Sequence, residues 1–508
     1  MLLAPLSRVI DPSSLRRYTA GVLEPWSPLL VSNRAPYEPG PGGRLRRGAG
    51  GVVTALLTVA EATGAPWVAC ARTPAERELA ATGGPVDLGD MQRPIRLHYV
   101  ASDSDRYRKF YSVIANPLIW FLQHYLWDLS REPLINARYW DAWEDGYVRV
   151  NHAVAERAVE VARELPRRPL ILTQDYQLYL APSRIRELLP QATLQQFIHI
   201  PWPTPHYWKV LPQQMRDAIL TGLLANDVVG FQTNSDVRNF LVSVEELLGY
   251  RVDHRERAVI HHGRVVWARA YPISIDVPAM EQLSTTPAVE QEIAGLQQRR
   301  PEKLIVRVDR TDPAKNIVRG FLAYERLLRQ RPEWRRRVQF YAFLQPSRQD
   351  ITVYRDYLAS VKATAERINR DLGELDWEPI RLEFGENLRR AVAAYCEYDV
   401  LLVNPIYDGM NLVAKEGALL NRRDGVLVLS ENAGAHEELG PWAMTINPFD
   451  VDATADALHV SLGATQPTRR RLARLLREQV KTHDIGRWIS LQVRDLHDLV
   501  YEQPSPAR

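Results

Sequence analysis

The stretch Asn404-Pro-Ile-Tyr-Asp-Gly-Met-Asn-Leu-Val-Ala-Lys-Glu416 carries the residue types of a binding turn between a buried strand and a helix. The apolar run Val400 to Val403 predicts a parallel strand, Asp408-Gly409 a turn, and Asn411 to Leu420 a helix that opens at the strand's carboxyl end. The first N–H groups of such a helix have no intrahelical partner and sit at the positive end of its dipole, so they attract phosphate. Glu416 falls about one turn into the helix, and Asp408 stands in the loop. Two carboxylates beside an anion site suit the hydroxyls of a nucleotide sugar. An ordinary strand-turn-helix with an acidic cap has the same signature.

Other candidate strand ends carry comparable chemistry. Arg310 and Lys315, in Val308-Asp-Arg-Thr-Asp-Pro-Ala-Lys315, are two cations on one turn before a helix, a spacing that suits a diphosphate; pairing with Asp309 and Asp312 is the competing reading. Arg34 closes the first strand, Leu29 to Arg34. The glycines of Gly48-Ala-Gly-Gly51 open the following helix, where backbone can approach a ligand closely. Asp175 follows the strand Leu170 to Thr173, and His199 ends the strand from Leu194; a packed, hydrogen-bonded ring is the plainer role for that histidine. Metal ligation is less well served. Asp103/Asp105 and Asp450/Asp452 follow no strand end and read as helix caps or loops, and His261-His262 lacks further ligands at metal spacing. With no metal expected, a leaving diphosphate falls to Arg310, Lys315 and the helix start at Leu412.

These loops need α/β sheets to hold them. At 508 residues the chain exceeds one ordinary core, so two domains are expected. Strands at 67–71, 170–173, 194–199 and 228–231 alternate with helices such as Val148 to Leu165, the pattern of a doubly wound parallel sheet. The prolines of Tyr271-Pro-Ile-Ser-Ile-Asp-Val-Pro278 mark a break, after which strands at 304–308, 338–343, 380–384, 400–403 and 425–429 form a second sheet. The expected domains are 1–273, 274–480, and a helical 481–508 packing back across them, with a cleft between the carboxyl ends of the two sheets. Sixty-four basic against 61 acidic residues leave +3, which speaks against nucleic acid as a partner. Cys70 and Cys396 are too few for a disulfide framework, and no run approaches the roughly 18 apolar residues of a membrane span, so a cytoplasmic protein without a membrane partner is expected.

Taken together, Ser32-Asn-Arg34, Gly50-Gly51, Asp175-Tyr176, His199-Ile-Pro-Trp-Pro203, Gly230-Phe-Gln232, Asp309-Arg310 with Lys315, Asp408 to Glu416, and Val428-Leu-Ser430 with Ala433-Gly-Ala435 resemble the trehalose-6-phosphate synthase family, in order, over about residues 29 to 460. The resemblance implies a retaining glycosyltransferase of the two-Rossmann-domain (GT-B) fold, without metal or cofactor. It would move glucose from UDP-, GDP- or ADP-glucose to glucose 6-phosphate, forming α,α-trehalose 6-phosphate, and homo-oligomers are common in the family.

Carried over residue by residue, the resemblance assigns the donor diphosphate to Arg310 and Lys315, with Gly51 and the backbone at Leu412 and Val413. Asp408 would hold donor glucose hydroxyls, Glu416 the ribose and His199 the glucose 6-hydroxyl, with Asn411 completing the donor set. Arg34 and Arg348 would take the acceptor phosphate, while Tyr111, Trp120 and Asp175 frame its sugar. The leaving phosphate would deprotonate the incoming hydroxyl on the face it departs from, giving retention without a protein nucleophile.

The chain departs from the family pattern after Trp67, where the usual glycine and Trp are missing, and at three further places. The turn Arg310-Thr-Asp-Pro-Ala-Lys-Asn316 loses the glycine after the lysine, Gln174 replaces a histidine, and Asn404-Pro-Ile-Tyr407 replaces a Thr-Pro-Leu-Arg type of lead-in. Three alternatives follow: a glucosylglycerol-phosphate synthase, a validoxylamine-type pseudo-glycosyltransferase, and a non-catalytic regulatory relative.

Overall fold

A computed structural model of the chain describes residues 12–39, 45–47, 51–88 and 95–501. It forms two compact units, one from the described residues of Met1–Ile273 and Ile485–Arg508, the other from Ser274–Asp484. The helix Gln466–Thr482 runs past position 480, and the segment that belongs to the first unit opens with the helix Ile485–Leu496.

The first unit is built on a ten-stranded sheet. Its strands are β1 (Trp26–Ser32), β4 (Trp67–Cys70), β5 (Val86–Leu88), β6 (Ile95–Val100), β7 (Arg168–Gln174), β8 (Thr193–Phe197), β9 (Val228–Phe231), β10 (Val252–Asp253), β11 (Ala258–His261) and β12 (Arg264–Ala270); β2 (Tyr37–Pro39) and β3 (Leu45–Arg47) form a separate ribbon. The order is β10-β11-β12-β9-β8-β7-β1-β4-β6-β5, with β12 through β6 parallel. Its middle strands are buried along their length, as runs such as Leu29-Leu-Val31 and Val228-Val-Gly-Phe231 require. The first strand starts three residues earlier than its apolar run suggests, because Trp26, Ser27 and Pro28 already pair with Arg168, Pro169 and Leu170 of β7, and Pro28 interrupts the apolar pattern. It ends at Ser32, which leaves Arg34 in the bend beyond it.

The second unit has six parallel strands, β13 (Lys303–Arg310), β14 (Val338–Gln345), β15 (Ile380–Phe384), β16 (Val400–Val403), β17 (Val426–Ser430) and β18 (Met444–Ile446), in the order β15-β14-β13-β16-β17-β18. Helices including Ile317–Gln330, Thr352–Leu372 and Val451–Gly463 pack against it, and Phe321, Tyr324, Phe340 and Leu458 are among the residues of the shared core. The strand order reverses between β13 and β16, and in the first sheet between β1 and β7. Parallel sheets open a crevice at such switch points, outside the carboxyl ends of the strands. Among the described residues no helix is long and apolar enough to cross a membrane.

Candidate active site

In the second unit the turn after β13 and the loop after β16 meet at the switch point. The backbone N–H of Ile406 donates to the Ala314 carbonyl at 2.8 Å, and Lys315 Nζ donates to Asp408 Oδ2 at 2.5 Å. Loop 408–411 is in turn fastened to the loop after β17, through Asp408 N to Asn432 O, Gly434 N to Asp408 O and Ala435 N to Met410 O at 2.8–3.2 Å. The Ala433-Gly-Ala435 motif thus supports Asp408 through the backbone.

Asn411 precedes the helix Leu412–Leu420 in a left-handed conformation (φ 71°, ψ 85°), and its side chain makes no capping bond. Its amide donates instead to Asp408 Oδ2 at 3.0 Å, while its buried Oδ1 has no hydrogen-bond partner. The helix therefore opens with N–H groups that no side chain caps, beside a lysine, which is a ready anion site. Glu416, one turn in, accepts from the Tyr395 hydroxyl at 2.9 Å; burial raises its pKa, and the tyrosine bond opposes the rise.

Arg310 ends β13 and is exposed. The lost glycine after Lys315 has a local substitute: Asn316 takes the left-handed conformation itself (φ 56°, ψ 38°), which asparagine tolerates better than most residues. Asp312, fully buried, accepts from Ala314 N at 3.1 Å with one oxygen and from Arg348 Nη1 at 3.0 Å with the other. Arg348 also donates to the Tyr354 hydroxyl at 2.6 Å. The two charges are shared, and Arg348 sits against the same turn that carries Arg310 and Lys315.

In the first unit, Arg34, Tyr111, Trp120, Asp175 and His199 are joined by one web of contacts. Ser32 Oγ donates to the Arg34 carbonyl at 2.6 Å, and neighbouring Asn33 accepts from the Tyr107 hydroxyl at 3.1 Å. Tyr107 stacks on Tyr111 with centroids 5.8 Å apart. The Tyr111 carbonyl accepts from Asn116, whose Oδ1 accepts from Tyr176, and Tyr176 lies 5.5 Å from the Trp120 ring. Tyr111 is on the π-helix Lys109–Ile119, whose backbone departs from helical geometry at Asn116; Trp120 follows directly. Gly51 is the first residue of the helix Gly51–Thr63, while Gly48, Ala49 and Gly50 lie outside the described residues.

Asp175 follows β7 with φ 69° and ψ 176°, a region nearly reserved for glycine that costs a non-glycine residue about 1–3 kcal/mol. Its N–H donates to Phe197 O at 2.7 Å, its carbonyl accepts from Gln196 at 3.0 Å, and its Oδ1 accepts from the His199 N–H at 3.1 Å. These bonds hold the strained residue against the loop that bears His199, two residues beyond the end of β8.

The His199 ring lies between two amides, with Nε2 3.0 Å from Gln174 Oε1 and Nδ1 3.4 Å from Gln232 Nε2. This pairing fits a neutral ring that donates from Nε2. Phe197 and Trp488 pack on the ring at 4.5 and 6.5 Å between centroids, and burial pushes its pKa down to about 3. Tyr395 and Trp488 are supporting residues that sequence reasoning did not single out, while Gln174 and Gln232 stood out only as a departure and as part of a motif, with no partner assigned. Gln232 stood in a recognised motif, but nothing along the chain pairs it with a histidine 33 positions away.

The cap reading of the acidic pairs holds: Asp103 caps the helix Ser104–Arg108, and Asp450 caps Val451–Gly463. Among the described residues no three His, Cys, Asp or Glu side chains converge as a metal site.

Two Rossmann-like sheets with loops of this kind are the architecture of a GT-B glycosyltransferase. The chain belongs to glycosyltransferase family 20, whose model matches residues 29–498. It is 35% identical over 476 residues to the bifunctional trehalose-6-phosphate synthase/phosphatase of Thermoproteus tenax, covering 91% of this chain but 62% of that protein, less than two thirds of its length. Identity to the trehalose-6-phosphate synthase of Mycobacterium bovis is 31% over 478 residues, covering 91% of this chain and 92% of the relative. An E. coli structure solved with UDP-2-fluoro glucose bound superposes with a TM-score of 0.79 at 27% identity, covering 93% of this chain and 99% of that one. An α,α-trehalose-phosphate synthase (UDP-forming) from Burkholderia xenovorans, in complex with glucose-6-phosphate, gives 0.78 at 28% identity, covering 92% and 99%.

Proposed function

We propose that this chain transfers glucose, with retention, from a nucleoside diphosphate glucose to glucose 6-phosphate, forming α,α-trehalose 6-phosphate. The observation that carries the reading is the approach of Lys315 to Asp408 at the start of an uncapped helix, with Arg310 on the same turn. Cations and helix N–H groups there would take the diphosphate, and the carboxylates of Asp408 and Glu416 the donor's glucose and ribose hydroxyls. The N–H groups of Leu412 and Val413 belong to that helix start, and the Gly51 backbone is a further donor that the family resemblance suggests. His199, neutral and donating from Nε2, would serve a sugar hydroxyl.

Arg34, Tyr111, Trp120 and Asp175 would frame the acceptor, with Arg348 adding charge for its phosphate. No side chain is assigned as a nucleophile. The departing phosphate takes the proton of the attacking hydroxyl, and the protein lowers the barrier by positioning and by stabilising charge on the leaving group. UDP-glucose is the proposed donor, supported by the UDP-forming relatives. A cytoplasmic location suits such substrates.

Incubation of the purified protein with glucose 6-phosphate and UDP-, GDP- or ADP-glucose in turn, followed by mass detection of nucleotide and disaccharide phosphate, tests the reading. Nucleotide release with formation of a disaccharide phosphate is expected. No release with any donor refutes it, and release only with another acceptor moves the chain to a sister activity.

A further inference from the structure

Arg307 lies in the middle of β13, in the apolar run Leu304-Ile-Val-Arg-Val308, and its side chain is fully buried. A guanidinium without water is costly, and an apolar side chain at such a place is often at least as stabilising. Its bonds show what it does instead. Nε and Nη2 donate to Asp309 Oδ2 at 3.0 and 2.8 Å, Nη2 donates to the Lys315 carbonyl at 2.9 Å, and Nη1 to the Ile317 carbonyl at 3.3 Å. Asn404 Nδ2 donates to the carbonyl between them, that of Asn316, at 3.2 Å. Three successive carbonyls around the left-handed Asn316 are thus held by side chains from β13 and the end of β16.

Gly320 supports the same reading. It lies inside the helix Ile317–Gln330, where glycine weakens a helix, yet a Cβ there would stand 2.6 Å from Arg307 Nη1. The helix gives up a better helix former at the point where the guanidinium needs room.

We propose that Arg307 is a positioning residue for the donor diphosphate: it fixes the backbone on both sides of Asn316 and so aims Lys315, without touching substrate. The proposal rests on the donor role assigned to Lys315 above. The chain would then hold this turn by a buried guanidinium and a left-handed asparagine in place of the glycine that follows the lysine in the resembling family.

Two variants test it by different routes. Arg307→Met removes the guanidinium; Gly320→Ala keeps it and displaces it. For each, steady-state kinetics with UDP-glucose and glucose 6-phosphate, UDP affinity by calorimetry, and a thermal unfolding curve are measured. The expected result is a fall of at least tenfold in kcat/KM for the donor and at least fivefold weaker UDP binding, with the acceptor KM within twofold of wild type. Arg307→Lys, which keeps the charge and part of the bonding, should recover part of the loss.

A cooperatively unfolding variant with donor kinetics within twofold of wild type overturns the proposal, as do equal losses toward donor and acceptor. If Arg307→Met does not fold, Gly320→Ala decides by the same criteria. Failure of the wild-type chain to transfer with any donor refutes the reaction itself, a result separate from unchanged variants of an active enzyme.

Discussion

Lys315 Nζ donates to Asp408 Oδ2 at 2.5 Å, joining the turn after β13 to the loop after β16 by one charged bond. Each side chain is largely buried, at 14% and 15% exposure, so the pair is poorly screened by solvent. A diphosphate that engages Lys315 must share it with Asp408. On the donor roles proposed above, the pair would set a cation for the diphosphate beside a carboxylate for the donor sugar.

Removing either cation should slow chemistry more than it disturbs the fold. Arg310→Ala or Lys315→Ala is expected to lower kcat on the order of a hundredfold, the usual consequence of losing a group that stabilises leaving-group charge. Steady-state rates with saturating donor and acceptor check this, and near-wild-type turnover in either variant contradicts it.

Asp408→Asn should separate binding from transfer. It releases Lys315 from its ionic partner, so UDP, which has no glucose, should bind at least as tightly as to wild type. Transfer from UDP-glucose should fall at least tenfold. Calorimetry with UDP beside initial rates reads both, and a matched loss of UDP affinity would contradict the competition for Lys315.

His199 should stay neutral through the physiological range. Burial holds its pKa near about 3 against an ordinary 6.5, so the folded protein takes no proton there while the unfolded chain does. The stability this contributes is present above about 6.5 and is lost as pH falls from there through about 3. His98 and His261, each pushed down to about 4, act in the same direction. The C2 proton resonance of His199 should not shift between roughly pH 5 and 8, and His199→Gln should flatten the acid side of the stability curve.

Asn316 offers a backbone test. Asn316→Gly keeps the left-handed conformation and loses the buried bond to the Pro448 carbonyl, which is 2.8 Å long. Asn316→Ala loses the same bond and keeps a Cβ at φ 56° without asparagine's tolerance of that conformation. Alanine should therefore be the worse replacement by about 1 kcal/mol, the reverse of the order in a helix interior. Denaturant unfolding of both variants measures the difference.

Much of the scaffold was legible along the chain. The strands Val228–Phe231 and Val400–Val403 coincide with their apolar runs because buried parallel strands need apolar side chains on both faces. The helix after Asp408 was readable from its turn, but the unpartnered Asn411 Oδ1 was not, since capping depends on what else competes for the amide. Arg307 could be seen as a charge in an apolar strand, with Asp309 two residues on along the same face. Where its guanidinium ends is decided by carbonyls of the next turn. The Gln174–His199–Gln232 row has the same origin: β7, β8 and β9 lie side by side in the sheet, and only that order brings their ends together. The π-helix that carries Tyr111 left no periodic signal.

Retaining transfer of glucose to a phosphorylated sugar leaves its mark on the product's anomeric configuration. Proton NMR of the disaccharide phosphate formed from UDP-glucose and glucose 6-phosphate should show both anomeric centres of the linkage in the α configuration, with none formed by Lys315→Ala on the same time scale. A β centre at the transferred glucose, or no disaccharide phosphate from the wild-type protein, would contradict the account.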